Sequence, residues 1–357
     1  MANRGFLVCA DITGYTAYLS ASELEHASGI LGELLRLLLG NVQAPLHLSR
    51  VEGDAVISYA PPGDGFQGQL VVDRLDDTYV AFRRAMGQMI INTSCPCKAC
   101  ANIGSLDLKF LIHHGEYAVQ HLGVQDELVG AEVNQLFRLT KNSIRQSLGL
   151  PGYMAFTAEA IAALALPGFV DGLITHTEND PERGSVVLHV RDMAPVWADR
   201  KNRQAFSIPE KEVLLRDERT VPVSLDDAFA LLTRPETRVS LFHADSMEVE
   251  LTADGRIGPN AVYLCAHGDT VIPNLVIDWA PPTRYAFSSP IPGGLTIVGQ
   301  FFLEPAGEGT RIECVIGMSR GIKSSLARPK VRKEMQQFSD GLFATLDGLI
   351  AAGAAGA

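Results

Sequence analysis

"RVEGDAVISY", residues 50–59, sets Asp54 behind Gly53 between two apolar runs, and a Gly-Asp pair in that setting reads as the tip of a tight hairpin. Extended on both sides, "LHLSRVEGDAVISYA" becomes two strands around one turn. Upstream lie a strand, "GFLVCADI", and a helix, "SELEHASGILGELLRLLLG", with leucines at helical spacing. Downstream, after the break "APPGDG", come a helical run from Leu70 to Ile91, a cysteine-bearing loop and the strand "LDLKFLIHHGE". The order is βαββαβ, which predicts a ferredoxin-like sheet with helices on one face and the other face open to a ligand or partner.

A chain of 357 residues with 46% hydrophobic content holds enough apolar surface for two domains. Thirty Lys and Arg against 41 Asp and Glu leave a net charge of -11, which argues against nucleic acid as a partner. The start, "MANRGFLVCADITGY", runs from a short apolar stretch into an acid, and no run reaches the roughly 18 apolar residues of a transmembrane segment. A cytoplasmic location is the expectation. Of six cysteines, Cys95, Cys97 and Cys100 cluster and three are dispersed, a pattern of thiols or a metal site rather than of a secreted disulfide framework.

Near Trp197 to Lys211 the pattern loosens into "WADRKNRQAFSIPEKE", a candidate linker. The expected division is a first domain over 1–205 and a second over 210–352. The second opens with the strand "EVLLRDERTV" and a helix that Ser224 is placed to cap, with Asp227 three residues on. Six strand candidates follow, from "SMEVELT" to "TRIECVIGMS", and a long helix closes the chain, with Val331, Met335, Phe338, Leu342, Leu346 and Leu349 as its apolar stripe. The whole is α+β.

Asp11 ends the first strand and Asp54 sits at the hairpin tip, neighbouring places in a βαββ sheet. Two converging carboxylates repel unless a cation neutralises them, and hard oxygen donors suit Mg²⁺ or Mn²⁺ held together with substrate phosphates. The alternative makes Asp11 a turn cap and Asp54 a solvated turn residue. In "VGAEVNQLFRLTKNS", Asn134 and Arg138 lie four apart on one helical face, an amide and a fixed cation suited to orienting a ribose and stabilising a transferring phosphoryl group. The loop "INTSCPCKACANIG" offers three soft donors in C-x-C-x2-C spacing. Either it is a loop of free thiols or it binds Zn²⁺ with a fourth ligand from His113, His114, His121 or a partner chain.

Taken together, "FLVCADITGYTAYLS", "RVEGDAVISY", "FLIHHGE" and "LVGAEVNQLFRLT" resemble, in order, the F-x-D-I-x-G-F-T, K-x-x-G-D, I-H-x-G and G-x-x-V-N-x-A-x-R motifs of the class III nucleotidyl cyclase domain, over about residues 5–192. The resemblance implies a homodimer in which Asp11 and Asp54 hold two metal ions and Asn134 and Arg138 act in trans on a nucleoside triphosphate. It places Arg50 and Glu127 where adenylyl cyclases carry the Lys and Asp that read adenine; the charge signs are kept and the shapes are not. The family's triphosphate-binding Lys on a late strand has no counterpart in "RGSVVLHVRDM", where His189 or Arg191 is the nearest stand-in.

About residues 210–350 resemble the START-like helix-grip superfamily, the group of polyketide cyclases and lipid-transfer relatives, in element order and in stretches such as "DWAPPTRYAFSS". That resemblance implies a curved antiparallel sheet gripped by one long helix around a cavity for a small hydrophobic ligand, with His267, Asp269 and Asp278 as polar candidates. The leading expectation is an ATP-dependent cyclase regulated by that ligand. Its rival is a catalytically silent sensor that binds a nucleotide or a lipid-like molecule.

Overall fold

In the computed structural model the described residues are 2–63, 65–92, 95–121, 126–180, 182, 184–201 and 205–353. The chain divides into two compact units, Met1–Arg203 and Gln204–Ala357.

The first unit runs β1 (Asn3–Thr13), α1 (Tyr15–Ala21), α2 (Leu24–Asn41), β2 (His47–Glu52), β3 (Ala55–Ala60), α3 (Gly65–Asn92), α4 (Lys98–Ala101), β4 (Asp107–His121), β5 (Asp126–Val129) and α5 (Ala131–Leu139). It continues through α6 (Ile144–Leu148), β6 (Tyr153–Thr157), α7 (Ala158–Leu164), β7 (Ile174–Asp180), β8 (Gly184–Asp192) and α8 (Ala194–Arg200). The sheet order is β2-β3-β1-β4-β6-β8-β7, with β5 paired to β4. Its first four strands carry the ferredoxin-like order expected from βαββαβ. The pairing of β4 with β6 is parallel, so the sheet is mixed.

Alternation along β1 explains both faces. Phe6, Val8, Ala10 and Ile12 point into a core built with α2, α3 and α7, while Leu7 and Cys9 point the other way, into a second core with Val133, Leu136 and Leu139 of α5. The second face is therefore not open as expected: α5 covers part of it, because three apolar residues at helical spacing have surface to bury.

Helix α3 also carries a charged seam. Asp76, fully buried, lies 2.8 Å from Arg191 of β8 and 3.3 Å from Arg200 of α8, and Asp77 lies 2.7 Å from Arg200. Desolvation pushes the Asp77 carboxyl up to about 6, against the pull of Arg200. A carboxyl raised in the folded state stabilises the fold below its unfolded value, and that contribution is lost as pH rises to the folded value. Over a third of the Asp77 side chain keeps solvent contact, so the effect is read as a direction only. The variant Asp77→Asn is expected to gain stability relative to wild type as pH rises from about 4 to about 7, checked by urea midpoints across that range.

The second unit holds β9 (Val213–Val221), α9 (Leu225–Thr233), α10 (Pro235–Leu241), β10 (Ser246–Glu250), β11 (Val262–His267), β12 (Thr270–Ala280), β13 (Arg284–Ile291), β14 (Leu295–Ala306), β15 (Gly309–Met318) and α11 (Ile322–Ala351). Its seven strands form one antiparallel sheet, order β10-β11-β12-β13-β14-β15-β9. Ser224 caps α9 by accepting the Asp227 amide at 3.2 Å. Val331, Leu342 and Leu346 of the α11 stripe are buried.

The candidate linker from Trp197 to Lys211 begins inside a helix instead. Val196 is buried and Trp197 packs on the first core, so α8 continues to Arg200 before the chain leaves. Residues 202–204 of that stretch lie outside the described ones.

Candidate functional site

The turn between β2 and β3 has only two residues, Gly53 and Asp54. Gly53 adopts φ 63°, a left-handed conformation that a residue with Cβ disfavours, and glycine at the first central position fits a type II′ hairpin. This delivers Asp54 beside the end of β1. Asp11 pairs in register with Ala55, and the amide of Ile12 donates to the Asp54 carbonyl at 3.4 Å. The Asp11 charge acts on the Asp54 carboxyl. Both are raised from the ordinary carboxylate range, Asp54 by burial and then by the Asp11 charge, Asp11 by burial against the opposing pull of Lys109. Pairs of acids in this state fit divalent cations, which would supply the missing positive charge.

Lys109, which sequence reasoning missed, stands directly across from Asp11 in the β1–β4 register. Its Nζ lies 3.5 Å from Asp11 Oδ1 and donates to the Thr140 carbonyl at 3.1 Å. Lys109 stands in the quoted strand "LDLKFLIHHGE", but its partner follows only from the register of the two inner strands β1 and β4.

Arg50 and Glu127 meet: the guanidinium ion-pairs with Glu127 and, at 3.2 Å, with Glu52, and its Cζ sits 4.7 Å from the centre of the Phe137 ring. On α5, Asn134 is exposed. Arg138 is not free. Its Nε donates to Asp180 Oδ2 at 2.7 Å and its Nη1 lies 3.0 Å from Glu182 Oε2. Arg138, Asp180, Glu178 and Glu52 border a cleft of about 530 Å³.

The late-strand stand-in fails for Arg191, which is committed to Asp76 and to the face of Phe169 at 5.8 Å. His113 is buried between Thr157 Oγ1 at 2.8 Å and Glu132 Oε2 at 2.7 Å, so it supplies no ligand to the cysteine loop. That role falls to His26 of α2. The donor atoms of His26, Cys95, Cys97 and Cys100 all lie within 4.8 Å of one another, a set that can hold a metal ion such as zinc. The Cys100 amide and His26 draw the Cys97 thiol down to about 7, and the Cys97 contact raises His26.

In the second unit an apolar cavity of about 230 Å³ lies among Phe242, Phe287, Ile297, Phe301, Met335 and Phe338. Of the polar candidates only His267 lines it. Asp278 is held by Arg284, and Asp269 stands in the β11–β12 turn. The polar groups the sequence did not single out are Cys265, Asn274, Ser289 and Cys314. Asn274 Nδ2 donates to Cys265 Sγ at 3.0 Å.

No helix among the described residues is long and apolar enough to cross a membrane. Comparison with solved structures finds similarity between this chain and a bacterial light-regulated adenylyl cyclase, at 14% identity over 54% of this chain and 53% of that one, TM-score 0.42. The chain thus spans about half the length of that protein. Similarity to Ara h 8.0201 has 18% identity over 39% of this chain and 97% of the other, TM-score 0.31. A family model described as "Protein of unknown function (DUF2652)" matches residues 31–148. The Mycobacterium tuberculosis (strain ATCC 25618 / H37Rv) protein "Uncharacterized protein Rv2561/Rv2562" is 32% identical over 150 residues, 42% of this chain and 67% of the relative. With two thirds of that relative matched at this identity, the chain belongs to the family of Rv2561/Rv2562.

Proposed function

We propose that the first unit is a divergent nucleotidyl cyclase that converts ATP to a cyclic nucleotide and pyrophosphate as a homodimer. The observation that carries this reading is the convergence of Asp11 and Asp54, two carboxyls raised by burial at the end of β1 and at the β2–β3 turn. Asp11 and Asp54 would hold Mg²⁺ or Mn²⁺, which when bound neutralises phosphate charge and activates the ribose 3′-hydroxyl. The paired Arg50 and Glu127, a donor fork over Phe137 and an acceptor beside it, supply hydrogen bonds to a purine edge. Asn134 and Arg138, reaching across the dimer, orient the ribose and stabilise charge on the α-phosphoryl group. Exposed Leu48 and Val51 of β2 and Val129 of β5 give the dimer an apolar seam. The cavity of the second unit would take a small hydrophobic regulator.

A specific contact favours a second reading, a catalytically silent sensor. Arg138 is clamped by Asp180 and Glu182, so catalysis requires those acids to yield it to substrate. The deciding experiment incubates the full chain with Mn²⁺ and either ATP or GTP and follows cyclic nucleotide and pyrophosphate by mass spectrometry. Product from ATP supports the cyclase. Nucleotide binding by calorimetry with no product from either substrate makes the sensor the correct reading.

A further inference from the structure

The cysteine loop shares no residue with the carboxylate pair or with the lining of the apolar cavity, and its geometry is more restrictive than its composition. Zinc binds thiolate at about 2.3 Å and imidazole at about 2.0–2.1 Å, so the donors of a tetrahedral site lie about 3.5–3.8 Å apart. His26 Nδ1 lies 3.2 Å from Cys97 Sγ and 3.6 Å from Cys95 Sγ, and every donor pair of the four falls within 4.8 Å. These spacings fit one ion at the centre. An iron–sulfur cluster, with two or more irons between its ligands, needs a wider ring of donors. Three sulfurs and one imidazole nitrogen are the donor set zinc prefers over hard cations such as Mg²⁺.

Contacts outside the donor set also position the loop. Cys97 caps α4, its Sγ accepting the Cys100 amide at 3.4 Å. Glu23, just before α2, accepts the Ala99 amide at 3.1 Å, and the Tyr18 hydroxyl of α1 donates to the Ala99 carbonyl at 3.0 Å. The loop after α3 is thereby docked on the α1–α2 junction, where His26 projects from the first turn of α2.

We infer that His26, Cys95, Cys97 and Cys100 bind one zinc ion in a closed, four-ligand structural site that staples the loop after α3 to the start of α2. Four protein donors leave no position for water or substrate, so the ion's work is to hold the fold.

The test uses the full chain purified without chelator and dialysed against metal-free buffer. About one zinc per chain is expected by mass spectrometry of the acid-released metal, falling at least about tenfold in His26→Ala and in Cys97→Ser and unchanged in His121→Ala, whose ring lies outside the cluster. Should either ligand variant fail to fold, wild-type protein stripped by chelator serves instead. Titrated with Co²⁺, it is expected to show the intense visible absorption of tetrahedral cobalt with thiolate ligands, saturating at one equivalent and displaced by Zn²⁺. Trypsin gives an independent readout at Lys98, exposed between the ligands: the zinc-loaded chain resists cleavage there and the stripped chain does not. Substoichiometric zinc with no cobalt spectrum overturns the inference, as does bound iron with acid-labile sulfide. Equal cleavage at Lys98 with and without zinc overturns the stapling role.

Discussion

Equal amounts of Asp54→Ala and Arg138→Ala protein, each expected to be at least about 100-fold less active than wild type, should recover about a quarter of wild-type turnover when mixed and allowed to exchange subunits. The figure follows from symmetry. In a two-fold dimer each site takes its carboxylates from one protomer and its Asn/Arg pair from the other. Half the dimers in the mixture are hybrids, and each hybrid contains one intact site and one doubly damaged one. Arg138 also neutralises the buried Asp180, so its removal costs stability as well as catalysis. Asn134→Ala, an exposed position, provides a second arm that leaves this contact in place. Cyclic nucleotide formed per minute is the measurement. An active wild type whose variants show no recovery would mean that the two residue sets work within one protomer. Full activity of Asp54→Ala alone would remove the metal pair from the mechanism.

The second large effect concerns Arg238 of α10, an arginine with no exposed surface. Its guanidinium carbon lies 4.1 Å from the ring centre of Phe242, 4.2 Å from Tyr263, 5.3 Å from Phe287 and 5.7 Å from Tyr285. Nη1 donates to the Tyr285 hydroxyl at 2.8 Å and the Leu232 carbonyl at 3.3 Å, while Nε and Nη2 have no hydrogen-bond partner among the described residues. Aromatic faces take the place of a counter-charge here. Arg238→Ala empties a space bounded by four rings and is expected to cost about 3–5 kcal/mol, as for other large core truncations. In a unit of this size that lowers the melting temperature by about 10 °C or more. Arg238→Met refills most of the space without burying a cation, and a buried charge exchanged for an apolar side chain of similar volume is often tolerated. Its cost is expected below about 1.5 kcal/mol. Thermal melts by circular dichroism distinguish the two variants. If methionine is as damaging as alanine, the cation itself and not its volume holds the cluster.

Elements whose signals are local were legible in the sequence. Gly53-Asp54 announced the hairpin because only a glycine turn joins two strands that tightly, and Ser224 announced the start of α9 through its cap. That Asp11 and Asp54 are neighbours across β1 and β3 followed from strand order. The fourth donor of the cysteine cluster did not, since His26 precedes Cys95 by 69 residues and no periodicity connects a helix start to a distant loop. The Arg138 clamp was hidden for the same reason: Asp180 lies 42 residues away, on a hairpin edge. Helix α8 was taken for a linker because charge density in "WADRKNR" masked the packing of Val196 and Trp197. The open second face was an error of omission, for Val133, Leu136 and Leu139 were visible as a stripe.

The strand arrangement of the second unit bears on its biosynthesis. From β11 to β15 each strand pairs with the one made just before it, whereas β9, the first strand of this unit to leave the ribosome, pairs among the described residues only with β15. Successive hairpins can therefore zip up as they emerge, but β9 waits almost a hundred residues for its neighbour, since Arg216 and Glu313, which bond across this seam, are 97 positions apart. Late closure of that kind is entropically slow and leaves a naked strand edge in the nascent chain. Premature stops between β10 and β15 should thus leave the second unit as an aggregating fragment rather than a smaller stable fold.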